Sequence, residues 1–155
     1  MSARVIAIGL GNVLMSDEGV GVHVVQAVRD AVPGDDSIVF LEAGTSGMCA
    51  LHAMAGLAKA VFVDCAFMGT APGTLRCFSP DDVASRTQCR RFSLHEGDLL
   101  EIIALSRRLE ECPAVVRIFG IEPAQVAPGE HLSPVLAARM ADYVRAVVAE
   151  LATEK

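Results

Sequence analysis

Short β-branched runs alternate along this chain with apolar stretches at helical spacing, and few folds accept that alternation. Val5-Ile6-Ala7-Ile8-Gly9 reads as a buried strand ending in glycine, with a tight turn over Gly9 to Gly11. Ser16-Asp17-Glu18 resemble a helix N-terminus, and Val20, Val24, Val25 and Val28 follow on one helical face until Pro33-Gly34. A second strand is expected over 38–41, then a turn from Gly44 to Gly47 into a helix near 48–57. A third strand over 60–63 ends at Asp64. Pro72-Gly73 precede a fourth over 74–78, placed at a sheet edge. Residues 97–109 are apolar at helical spacing, and 115–119 form a fifth strand between Pro113 and Gly120. Ser133-Pro134 open a last amphipathic helix to about Leu151, with serine as cap and proline in the first turn. The expected architecture is α/β, a three-layer sandwich: a mostly parallel sheet of about five strands with helices on both faces. No internal repeat or linker divides the 155 residues, so the chain reads as one domain over 1–155.

Composition narrows the function. Hydrophobic residues make up 52% of the chain, yet no apolar run approaches the roughly 20 residues of a membrane span. The best stretch, around 58–67, is interrupted by Lys59 and Asp64. The first residues lack a signal-peptide layout, and a cytoplasmic location with no membrane partner is expected. A net charge of −6 offers nothing to a phosphate backbone, which argues against nucleic acid. The five cysteines are odd in number and lack C-x-x-C spacing, as expected of reduced, mostly buried thiols.

Open α/β sheets bind ligands at the carboxyl ends of their strands, where strand order reverses. Glu18 follows the first strand and its turn, Glu42 ends the second, and Asp64 ends the third. With strand order 2-1-3, Glu18 and Asp64 flank the crevice. A dinucleotide fits poorly: Gly9-Leu10-Gly11 begins a G-x-G-x-x-G run, but Leu14 stands where the third glycine belongs. Asp17 and Glu18 would also repel a pyrophosphate at the helix N-terminus, whereas a cation suits that place. Among four histidines, His23 and His52 fall inside expected helices, and His131 precedes the last one. His95 differs in sitting in a loop just before an expected helix, and its position alone does not decide between a solvated loop residue and a ligand or catalytic group. Common protease signatures fail. Leu99 replaces the second histidine of H-E-x-x-H, Met48 breaks G-x-S-x-G, and no D-T-G or D-S-G triplet occurs. Residue pattern alone therefore reaches an α/β domain with an acidic crevice.

The segment Gly9-Leu10-Gly11-Asn12-Val13-Leu14-Met15-Ser16-Asp17-Glu18-Gly19-Val20-Gly21 resembles the opening motif of the hydrogenase maturation endopeptidases, G-x-G-N-x-L-x-x-D-[DE]-x-x-G. Further matches follow in that family's order: Gly44-Thr45-Ser46-Gly47-Met48, Val63-Asp64, Pro72-Gly73-Thr74, Ser93-Leu94-His95 and Gly120-Ile121-Glu122-Pro123. The resemblance implies a peptidase, sometimes grouped with aspartic-type endopeptidases, that cuts the C-terminal extension from the nickel-loaded hydrogenase large subunit precursor. It implies that Glu18, Asp64 and His95 bind the metal, which is nickel supplied by the substrate, with zinc or cadmium able to substitute. Two carboxylates and an imidazole suit such borderline divalent ions, and three ligands leave positions open. The ion would polarise the scissile carbonyl or activate water. Alternatively it would be a recognition handle, with Asp64 or Glu18 as general base. Many family members carry aspartate in a D-G-G-T stretch where this chain reads Leu41-Glu42-Ala43-Gly44-Thr45, so Glu42 is the expected position for choosing between precursors. The alternative function is a metal-sensing chaperone or checkpoint that holds the large subunit without cutting it.

Overall fold

The computed structural model describes residues 4–82, 93–94 and 98–153. Strand β1 (Val5–Leu10) is buried from Ile6 onward, as befits a β-branched run with neighbours on both sides. A 3-10 turn (Ser16–Gly19) leads into α1 (Val20–Ala31), which buries Val20, Val24, Val25 and Val28. Then come β2 (Ile38–Gly44), α2 (Gly47–Ala53), β3 (Lys59–Phe67) and β4 (Leu75–Phe78). After these follow β5 (Ser93–Leu94), α3 (Asp98–Arg108), β6 (Val115–Ile121), α4 (Pro134–Ala138) and α5 (Met140–Ala152).

The sheet runs β2-β1-β3-β6-β4, and β5 pairs antiparallel with the end of β3. The first four of these strands are mutually parallel, whereas β4 closes the edge antiparallel to β6. Strand order therefore reverses between β1 and β3, as the 2-1-3 expectation required. Side chains alternate across the sheet and form two apolar cores. Ile6, Ile8, Phe62 and Ile118 pack with Leu51 of α2 and Leu99 and Ile103 of α3. Ala7, Val61, Val63 and Phe119 pack with Val24 and Val25 of α1, Leu136 of α4, and Tyr143 and Val147 of α5. Helices thus cover both faces, giving the three layers. Among the described residues no helix is long and apolar enough to cross a membrane.

Five boundaries differ from expectation. β2 runs to Gly44 and β3 to Phe67, so Glu42 and Asp64 lie inside strands rather than ending them. The reason is uneven pairing. β3 leaves β1 at the Gly9–Val63 pair, but β6 stays with it through Cys65, and β5 holds Ala66 and Phe67. Asp64 is thus the first β3 residue without a β1 neighbour. The residues 16–18 form a 3-10 turn rather than a first α-helical turn. The second helix stops at Ala53, and Gly56 turns the chain with φ +79. The last helix breaks at Arg139, whose φ of −102 and ψ of 3 leave the α region.

At the opposite, amino edge, Lys59 is buried, with its ammonium 2.6 Å from a Glu150 carboxylate oxygen and 2.7 Å from Thr153 Oγ1. A buried cation needs such partners, and here they fasten the end of α5 to β3.

Candidate active site

The opening loop reaches the sheet because glycines remove the atoms that would hold it off. A Cβ on Gly21 would fall 2.0 Å from the Val63 carbonyl oxygen and 2.5 Å from that of Leu10. The N-terminus of α1 therefore rests directly on the two central strands. Gly11 has φ +120, and a Cβ there would lie 1.9 Å from the Glu18 carbonyl oxygen. Between them Asn12 Oδ1 accepts the Leu14 N–H at 2.9 Å, closing an Asx turn. The glycine spacing that looked like a nucleotide fingerprint is instead the geometry that lowers Glu18 to the carboxyl edge.

Asp64 is fully buried on the face covered by α2 and α3. It lines a cleft with Gly11, Gly44, Thr45, Phe62 and Leu99, and its Oδ1 accepts the Cys65 N–H at 2.8 Å. Glu18, in the 3-10 turn, is half-buried and has its backbone against Gly11 at the rim of that cleft. The charge gathered here is felt by the neighbouring thiol. Burial, and then the charges of Asp64, Glu18, Asp17 and Glu122, push Cys65 well above the ordinary thiol range. A thiol so disfavoured as thiolate is a poor nucleophile. Cys65→Ser is therefore expected to leave cleavage intact and to cost at most about 1–3 kcal/mol for a hydroxyl in an apolar core. Precursor cleavage together with thermal melting checks this, and a folded but inactive variant would return Cys65 to the chemistry.

His95 lies outside the described residues; β5, which precedes it, pairs Leu94 with Ala66 and Ser93 with Phe67. Among the described residues no three His, Cys, Asp or Glu side chains are grouped to hold a metal. Asp64 lines the cleft and Glu18 sits in the turn packed on Gly11, and carboxylate oxygens of this kind fit a divalent cation. Glu42 faces the other side of the sheet, where its carboxylate lies 3.8 Å from Arg29 of α1. His52 and His131 are exposed, and His23 is half-buried in α1. Burial, then the charge on His131, hold His23 below the ordinary histidine range. The cysteine expectation needs correction. Of the four described, Cys65 is buried, Cys112 is half-buried, and Cys49 and Cys77 are exposed. Cys77 lies on edge strand β4, with its Sγ 4.0 Å from Glu150 Oε1 of α5.

Two further acids organise the site and were not singled out by residue pattern. Asp17 is fully buried and accepts four hydrogen bonds: from Ala124 N–H and Gln125 N–H at 2.9 Å, and from Ser133 N–H and Ser133 Oγ at 2.7 Å. Glu122 Oε1 accepts Met68 N–H at 2.8 Å, Thr70 N–H at 3.0 Å and Thr70 Oγ1 at 3.1 Å, which shapes the loop after β3. Their donors lie 52 to 116 residues away in sequence, so only their places in the quoted motifs hinted at a role.

Comparison with known proteins agrees with this fold. The profile of the hydrogenase maturation protease family matches residues 4–150. The hydrogenase 2 maturation protease of Escherichia coli (strain K12) is 28% identical over 149 residues, covering 96% of this chain and 90% of that protein. The hydrogenase expression/formation protein HupD of Bradyrhizobium diazoefficiens is 31% identical over 134 residues, covering 84% of this chain and 69% of its own. The solved hydrogenase maturating endopeptidase HybD of E. coli superposes with a TM-score of 0.82 at 28% identity, covering 96% of this chain and 91% of that one.

Proposed function

The chain belongs to the hydrogenase maturation protease family and is a peptidase, and we propose that it removes the C-terminal extension of the nickel-loaded hydrogenase large subunit precursor. The observation that carries this reading is Asp64: a fully buried carboxylate, just past the β1 pairing, that opens onto a cleft walled by glycine backbone. Gly11 and Gly44 share that cleft with apolar Leu10, Phe62, Leu99 and Ile102, which keep bulk water sparse around the acid.

Glu18, Asp64 and His95 would hold the substrate's nickel, which in that position can polarise the scissile carbonyl. Asp64, with Oδ1 oriented by the Cys65 N–H, would accept a proton from the attacking water and return it to the departing amine. Proton transfer by a placed carboxylate is worth roughly 10²–10⁴ in rate. With no thiolate in this donor set, metal affinity in the free enzyme is expected to be weak, and productive alignment to come only with the precursor's own ligands.

The test mixes purified enzyme with precursor prepared with and without nickel, with chelator in the metal-free arm, and follows the shortened product by gel. Only the loaded precursor should be cut efficiently. A misplacement of about 1 Å in the metal-free complex is enough for a roughly hundredfold slower reaction. Equal cleavage of the two forms would sink the gating by nickel.

A further inference from the structure

We infer that Asp17 is a positioning residue for Glu18: its buried carboxylate locks the 3-10 turn to the loop spanning residues 124–133 and thereby aims Glu18 at the crevice beside Asp64. The inference rests on the reading of Glu18 as a metal ligand. It assigns to Asp17 a task distinct from either ligand's.

Consecutive side chains in a 3-10 turn stand about 120° apart. Asp17 and Glu18 therefore cannot face the same way, and here Asp17 points inward, fully buried, while Glu18 stays half-buried at the rim. Four donors on Asp17 fill most of the acceptor capacity of a carboxylate. Three of them are backbone N–H groups and the fourth is a hydroxyl, all from a loop more than a hundred residues away in sequence, so the contact sets the depth of the turn rather than a local bend. The same seam carries further bonds. Ser16 N–H donates to Gly129 O at 2.9 Å, Ser16 Oγ to Ala127 O at 2.9 Å, and Gly129 N–H to Leu14 O at 2.8 Å.

The turn would not hold this shape unaided. Ser16 has φ +54, a left-handed conformation that costs a non-glycine residue roughly 1–2 kcal/mol. Strain of that kind persists only where the surroundings over-determine it. The seam does so immediately before Asp17, and Gly11 bounds Glu18 from the other side. With the Asp17 clamp loosened, relaxation of Ser16 would rotate the next two residues and carry the Glu18 carboxylate away from its place.

The experiment compares Asp17→Asn with wild type in the full chain, with circular dichroism confirming that each sample is folded at the assay temperature. The amide keeps the volume but turns an N–H₂ toward donors. Zn²⁺ alone, titrated by NMR, reports the ligand geometry without any catalysis. Outer groups that orient metal ligands typically contribute ten- to hundredfold in affinity or activity, and a loss of roughly that size is expected in Zn²⁺ affinity and in kcat on nickel-loaded precursor, with KM little changed. Ser133→Ala, which removes one donor and spares the backbone ones, should move both quantities the same way by less, and it carries the test should Asp17→Asn not fold. Lys59→Met, at the opposite edge of the sheet, should lower Tm and leave Zn²⁺ affinity alone. A matching loss of affinity in Lys59→Met would make the effect general destabilisation and overturn the inference. Glu18→Gln separates the two levels. Wild-type Zn²⁺ affinity in Glu18→Gln would overturn the ligand reading itself. A loss in Glu18→Gln with wild-type affinity and kcat in folded Asp17→Asn would overturn the positioning role alone.

Discussion

Asp64→Asn is expected to slow cleavage of the nickel-loaded precursor by at least about a hundredfold while leaving Tm close to wild type. The amide is nearly isosteric with the carboxylate, and its remaining oxygen can still accept the Cys65 N–H that Oδ1 accepts at 2.8 Å. Packing around the buried side chain should therefore survive. What disappears is negative charge, and with it both the capacity to hold a cation and the capacity to take a proton at neutral pH. The measurement is a time course of precursor shortening at equal enzyme concentration, paired with a melting curve. Unchanged cleavage by the folded variant would remove Asp64 from the mechanism, and a large fall in Tm would mean that its carboxylate serves the fold instead.

Gly21→Ala is expected to act on folding rather than chemistry, and strongly. The added Cβ would sit 2.0 Å from the Val63 oxygen and 2.5 Å from the Leu10 oxygen, far inside contact distance. Both obstacles are backbone atoms of the central strands β3 and β1, so no rotamer change can clear them. Relief requires α1 to lift from the sheet, which would loosen Val24, Val25 and Val28 from their core. Overpacking usually costs 1–3 kcal/mol, and a clash with immobile backbone belongs at or beyond about 3 kcal/mol. At roughly 2–4 °C per kcal/mol for a chain of this size, Tm should drop by about 6–12 °C or more. Gly47→Ala is the contrast, because its nearest neighbour is Cγ1 of Ile102 at 3.2 Å, a side chain that can turn aside. A Gly21→Ala variant that melts with wild type would mean that α1 is held to the sheet less tightly than its glycine contact implies.

These two expectations separate what could be read from the chain itself from what could not. The alternation of β-branched and helical-period segments was sufficient for the α/β layers, because period and β-branching are local properties, whereas the 2-1-3 strand order was assumed and only the pairing of β1 with both β2 and β3 decides it. Strand ends were less legible. Asp64 read as a strand terminus because the apolar run stops there, yet β6 and β5 extend β3 beyond it. The extension is decided by partners more than twenty residues away. Cys77 and Cys49 illustrate the same limit, since a cysteine is buried or exposed according to which side of an element it occupies and what covers that side.

At the site, residue types marked Glu18 and Asp64 because carboxylates after the first and third strands of such a sheet face the same crevice. Sequence alone determined the strand–turn–helix order, the acidic character of that edge and the family motif. Only the tertiary structure showed that Asp17, one residue from Glu18, turns away to grip Ala124, Gln125 and Ser133, and that Glu42 turns to Arg29 on the other face. The physical reason is that periodicity and charge are written in neighbouring residues. The direction of a side chain in an irregular turn is set instead by hydrogen-bond donors and steric walls that the fold brings from far along the chain.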